Sequence, residues 1–168
     1  SIAGHEIRKS GEDLDMKFTT LVCGLVGAAG ILAAHTAAAQ QQVTDEMLRT
    51  AQEDPNNWLM ATGNYTGNRF SKLGQINTGN VRNLVPKWIF SLGVLDAQNT
   101  TPVVQDGVMY ATASHGRTYA LDASSGAELW RYAHQLPEGV AGKMCCDIGN
   151  RGVALYGDKV FVATPDAH

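Results

Sequence analysis

Charge is scarce in this chain: Asp, Glu, Lys and Arg together make up 17% of its 168 residues, and the net charge of -3 comes from scattered single residues. No basic run or stripe exists that could neutralise a row of phosphates, so nucleic acid is excluded as a partner. The low charge also disfavours a helical bundle, whose exposed faces are dense in Glu, Lys and Arg. Neither a dinucleotide-binding nor a phosphate-binding glycine loop is present. Cysteine is limited to Cys23, Cys145 and Cys146. There is no C-x-x-C pair, no C-x-x-C-H haem-attachment site, and no histidine at ligand spacing from a cysteine, which leaves little basis for a metal centre.

Glycine, in contrast, is plentiful at 18 residues, and the hydrophobic content is 44%. Together these describe a turn-rich, globular, all-β chain. Residues 1–15 are polar and unlike the rest of the chain, and they read as a non-native upstream extension that takes no part in the reading of the fold. From Met16 the pattern becomes that of a secretory signal over 16–39. Lys17 supplies the positive start, an uncharged and mostly apolar run covers 18–34, and Ala37, Ala38 and Ala39 form a small-residue cleavage site. A single membrane-spanning helix is the alternative, although a run of roughly seventeen residues stands at the bottom of the spanning range. Cleavage after Ala39 would remove Cys23, leave no stable membrane span, and deliver residues 40–168 to the periplasm. Cys145 and Cys146, adjacent in sequence, would then be the remaining cysteines; in an oxidising compartment two such residues are expected to pair.

In the exported part, Thr44 followed by Asp45 and Glu46 has the form of a helix start, and a short helix is expected from 45 to about 53, ended by Pro55. Residues 58–88 carry Gly-Asn and Asn-Thr-Gly turn signals and read as loops, with one short strand at 87–92. From Thr101 onward, β-branched and aromatic runs at 102–104, 108–112, 117–121 and 128–132 are separated by Gln105-Asp106-Gly107 and by the turn from Asp122 to Gly126. Four short antiparallel strands joined by tight turns are one propeller blade. The phrase then recurs. Residues 152–164 repeat 101–112, with Thr112 and Thr164 in register at a spacing of 52, a propeller-sized period. The architecture expected is a β-propeller represented by about one and a half blades plus a short N-terminal helix. Because a blade cannot bury both faces alone, the chain reads as the N-terminal part of a longer protein.

Several phrases carry a family likeness. Ala120, Asp122, Gly126 and Trp130 stand at the spacing of the tryptophan docking motif of quinoprotein propellers, in which a large ring packs against small residues between blades. Arg69-Phe70-Ser71 with Leu73, Gln75-Ile76-Asn77, Asn80-Val81 with Leu84, Trp88, and the run from Asp106 to Tyr110 resemble the N-terminal stretch of the PQQ-dependent methanol and ethanol dehydrogenase family. The likeness runs from about Trp58 to Pro165 and would cover the first quarter or so of such an enzyme.

The resemblance implies an eight-bladed quinoprotein propeller that oxidises small primary alcohols with PQQ and a bound Ca²⁺ or lanthanide, passing electrons to cytochrome c. In that family a vicinal disulfide, here at Cys145 and Cys146, forms a flat platform against one face of PQQ. Adjacent Cα atoms lie about 3.8 Å apart, below the usual disulfide range. Unpaired thiols, or half of a metal site, are the readings that compete with a bridge. The same likeness aims Arg151 at the quinone oxygens, where a guanidinium stabilises developing negative charge. Before Thr101-Pro102 the family commonly has a glutamate that contacts the edge of the cofactor. Asn99 occupies that position here, and its amide can donate to a carboxylate. Neither the catalytic base nor any metal ligand is assigned in this chain. A non-catalytic propeller of the same blades, such as an outer-membrane assembly scaffold, is the alternative; it would have no use for adjacent cysteines followed by an arginine.

Overall fold

A computed structural model describes residues 5–8, 41–96, 98–144 and 148–167, the first of these by backbone alone. The regions proposed as an upstream extension and a signal, together with Cys145 and Cys146, lie outside the described residues, apart from strand β1 (His5–Arg8).

The first blade is a four-stranded antiparallel meander of β2 (Val103–Gln105), β3 (Val108–Ala113), β4 (Arg117–Asp122) and β5 (Glu128–Ala133), in that spatial order. The strands fall within one residue of the expected bounds because local chemistry decides them. Asp106 and Gly107 both take positive φ, 48° and 76°, as a two-residue hairpin turn with the twist of its flanking strands demands. At the next tight turn Asp122 caps the loop: its Oδ1 accepts from the backbone N–H and the hydroxyl of both Ser124 and Ser125. The second copy begins as the hairpin of β6 (Ala154–Tyr156) and β7 (Lys159–Val162), and β1 pairs antiparallel with the other edge of β7.

Two expectations are corrected. Helix α1 spans only Asp45–Arg49 and does not reach 53. Its N-cap is as expected, with the Thr44 side chain accepting from the Met47 amide. At Thr50, however, the backbone leaves helical geometry: its amide and its hydroxyl both bond the Glu46 carbonyl, at 2.9 and 2.8 Å, and its own carbonyl is taken by the Glu53 amide in a tighter turn. Residues 87–92 do not form a ladder strand. They keep the alternation of one, with Trp88, Phe90, Leu92 and Val94 turned onto the sheet and Ile89 90% exposed. Side chains anchor this segment in place of backbone pairing: Tyr119 Oη donates to the Leu92 carbonyl at 2.7 Å and an Arg117 N–H to that of Gly93 at 2.8 Å.

Both faces of the first sheet are therefore covered. One packs with Val43, Leu59, Leu155, Val160 and Val162, joining it to the second hairpin; the other packs beneath the 88–94 segment. Strand β4 consequently buries Thr118, Tyr119, Ala120 and Leu121 in succession, departing from simple in-and-out alternation. Ala120 is opposite both Tyr110 and Trp130 in the ladder, so a fully buried small residue leaves room for the two large rings to meet, 5.9 Å apart between centroids.

Candidate functional site at the end of the blades

The antiparallel order brings the start of β2, the end of β3, the start of β4 and the end of β5 to one end of the first sheet. Asn99 precedes β2 at this end, on pinned backbone. The neighbouring Thr100 Oγ1 accepts from the Thr112 amide and bonds the Thr112 hydroxyl, both at 3.0 Å, while Gln98 Nε2 reaches the Asp96 carbonyl at 2.8 Å. The Asn99 side chain is exposed above these anchors.

Arg151 precedes β6, the equivalent position in the second copy. Its carbonyl accepts from the Thr101 amide at 3.1 Å, so the two blade starts are joined directly. The contact is close enough to need glycine next in sequence: Gly152 has φ of +128°, and a β-carbon there would stand 2.8 Å from the Thr101 carbonyl oxygen. Asn150 completes the corner, its amide donating to the Ala163 carbonyl at 2.7 Å and its Oδ1 accepting from the Gly152 amide at 2.9 Å. The fold thus places Asn99 and Arg151, 52 residues apart in sequence, on adjoining strand starts. Both side chains are exposed and neither has a hydrogen-bond partner among the described residues. An amide and a guanidinium exposed on adjoining strand starts form a donor set for carboxylate and carbonyl oxygens. In sequence, the cysteine pair lies between the 3-10 turn Ala141–Lys143 and the buried Ile148.

The same end carries two histidine–aspartate pairs that sequence reasoning misses: it expects His115 and His134 in loops, where both stand, and finds no ligand spacing around them. His115 Nε2 lies 2.8 Å from Asp96 Oδ2, at the rim of a cavity of about 600 Å³ lined also by Arg117 and His134. His134 Nε2 lies 2.8 Å from Asp166 Oδ2, and both side chains are nearly buried. The hydrogen bond from His134, with one from Thr164, holds the Asp166 carboxyl down at about 2. The partners are 19 and 32 residues apart, with no local motif to mark them. Among the described residues no group of three or more His, Cys, Asp or Glu side chains could hold a metal ion, and no helix is long and apolar enough to cross a membrane.

Comparison with known proteins points one way. Residues 58–167 match the family described as PQQ, the glucose/ethanol/alcohol dehydrogenase β-propeller domain. The chain is 52% identical over 101 residues to the quinone-dependent 1-butanol dehydrogenase of Thauera butanivorans, covering 59% of this chain and 16% of that one. It is 42% identical over 135 residues to the quinohemoprotein alcohol dehydrogenase ADH IIB of Pseudomonas putida, covering 80% and 20%. Among solved structures it is similar to the quinohemoprotein alcohol dehydrogenase of Comamonas testosteroni, with a TM-score of 0.71, 38% identity, and coverage of 76% of this chain and 19% of that one. A europium-containing methanol dehydrogenase gives a TM-score of 0.67 at 34% identity, covering 71% and 21%. The chain thus spans about a fifth of the length of the proteins it matches.

Proposed function

Because the chain belongs to the PQQ β-propeller family of glucose, ethanol and alcohol dehydrogenases, we propose that the whole protein oxidises small primary alcohols to aldehydes in the periplasm. Electrons would pass to cytochrome c. The observation that carries this reading is the junction at Thr101 and Arg151, which sets two exposed donors, Asn99 and Arg151, on adjoining blade starts.

These residues fit the cofactor. PQQ presents carboxylates and quinone oxygens around a flat ring, and an amide beside a guanidinium is the donor set such edges require. When bound, with Ca²⁺ or a lanthanide as Lewis acid, PQQ would supply the electrophilic carbonyl for a hydride from the carbinol carbon, the hydroxyl proton leaving to a base not assigned in this chain. Asn99, on its pinned backbone, donates to a cofactor oxygen and sets orientation. The guanidinium of Arg151 holds positive charge where negative charge develops. Cys145 and Cys146, bridged to each other, would wall one face of the ring. The signal over 16–39, cut after Ala39, would route the protein to the compartment in which that bridge persists; N-terminal sequencing of secreted material that began at Met16 would refute the cut.

The decisive measurement uses the full-length protein, purified without cofactor and assayed with added PQQ, Ca²⁺ or a lanthanide, short-chain alcohols and an artificial electron acceptor. Alcohol-dependent reduction of the acceptor is expected only when both PQQ and the metal are present. Arg151→Ala should lower turnover about 100-fold, by analogy with loss of one oxyanion donor, and weaken PQQ binding much less. Full turnover in that variant would remove Arg151 from the reaction.

A further inference from the structure

We propose that Asn150 is a positioning residue for Arg151, fixing where the guanidinium stands relative to Asn99; the inference rests on the cofactor reading above and extends it to a side chain outside the implied site.

Arg151 is held by its backbone from three directions while its side chain is exposed. On the N-terminal side, the Asn150 amide is bonded to the Ala163 carbonyl at 2.7 Å, at the end of β7. On the C-terminal side, the Gly152 amide returns to Asn150 Oδ1 at 2.9 Å, so one side chain spans Arg151 and closes a small ring around it. The carbonyl of Arg151 itself is taken by the Thr101 amide of the first blade at 3.1 Å. Gly152 is pressed against the Thr101 carbonyl with no room for a β-carbon, so the corner has little slack in that direction.

Asn150 therefore ties the backbone that carries Arg151 to the second hairpin, while Thr101 ties it to the first. Removing the Asn150 amide would release one of these two anchors and leave the Ala163 carbonyl and the Gly152 amide without their partner. A long, exposed arginine then samples a wider range of positions. Misplacement on the order of 1 Å can cost about 100-fold in rate when a group must meet a developing charge. A side chain that holds such a group through its backbone shares in that loss without touching the cofactor.

A double-mutant cycle in the full-length protein tests this, with a readout on the cofactor-free form. Asn150→Ala is expected to lower turnover at least tenfold while changing the dissociation constant for PQQ, followed by absorbance titration, less than threefold. Amide hydrogen exchange at Thr101 and Gly152 in the cofactor-free protein should speed up about tenfold or more. In an Arg151→Ala background the same substitution should change turnover less than twofold, because its effect passes through a side chain no longer there. Asn150→Ser, whose hydroxyl can still accept from the Gly152 amide, should recover part of the turnover and also serves if the alanine variant folds poorly. Unchanged exchange, or equal losses in both backgrounds, would overturn the positioning role while leaving Arg151 in place. If Arg151→Ala itself has no effect on turnover, the cofactor reading and this inference fall together, an outcome separable from the other two.

Discussion

The indole of Trp88 is seated on Gly126: a β-carbon on that glycine would lie 2.5 Å from the ring, and the indole N–H donates to the Ala123 carbonyl at 3.1 Å. Gly126 belongs to the motif that ends in Trp130, yet the ring it receives comes from 38 residues before it. Trp130 packs on the opposite face, 5.9 Å from Tyr110 between ring centroids, within the core shared with the second hairpin.

That seat makes Gly126 costly to replace. Gly126→Ala meets the ring and also forces a left-handed backbone at φ of +74°, for an expected loss of about 2–4 kcal/mol. Gly107 shares the conformation, at φ of +76°, with open space around it, so Gly107→Ala should cost about 1 kcal/mol. Denaturant midpoints of the two variants compare the terms directly, and equal losses would show that the ring contact contributes nothing.

Tyr119→Phe removes only the hydroxyl that holds the Leu92 carbonyl at 2.7 Å, since the edge contact with Phe90 at 5.3 Å is made by the ring. A stability loss of about 1 kcal/mol is expected. The 88–94 segment should become more open to limited proteolysis while the hairpins keep their protection; uniform loosening of both would contradict this anchoring role.

Acid should weaken the fold through two carboxylates. Hydrogen bonds from Ser124 and Ser125 hold Asp122 down at about 2, and the bond from His134 does the same for Asp166. Each is depressed below its unfolded value near 3.8, so the unfolded chain takes up its proton first. The stabilisation is complete above that value and is lost as pH falls towards 2. Asp122→Asn and His134→Ala should each flatten the plot of unfolding free energy against pH between 4 and 2. An unchanged slope in both would place the acid sensitivity elsewhere.

Cys145 and Cys146 are expected to be bridged in the exported protein. Mass spectrometry of a non-reduced digest should find their peptide two hydrogens light; alkylation of both thiols without prior reduction would refute the bridge.

What local chemistry governs could be read from the order of residues. The strands of the first blade follow from β-branched and aromatic runs, its hairpin from Asp106 and Gly107, its cap from Asp122 with two serines, and the second hairpin from the recurrence of the 101–112 phrase at 152–164. Helix α1 stops a turn short of the length its sequence suggests because the backbone leaves helical geometry at Thr50, with φ of -98° and ψ of 12°, and the Thr50 carbonyl is taken in a tighter turn by the Glu53 amide at 2.7 Å. The 87–92 segment has the alternation of a strand, and alternation alone does not supply a ladder partner.

For the site, family likeness marked Asn99 and Arg151 in the sequence, but nothing in it showed that they would share a corner. By itself the sequence determined the blade, because pleat and turn chemistry act between residues a few positions apart. Only the tertiary structure decided which ring sits on Gly126, which aspartate faces each histidine, and that Thr101 meets Arg151. Those contacts join residues 19 to 50 positions apart. A backbone amide, a small residue at positive φ or a lone carboxylate accepts any partner of suitable shape, and only packing selects which one arrives.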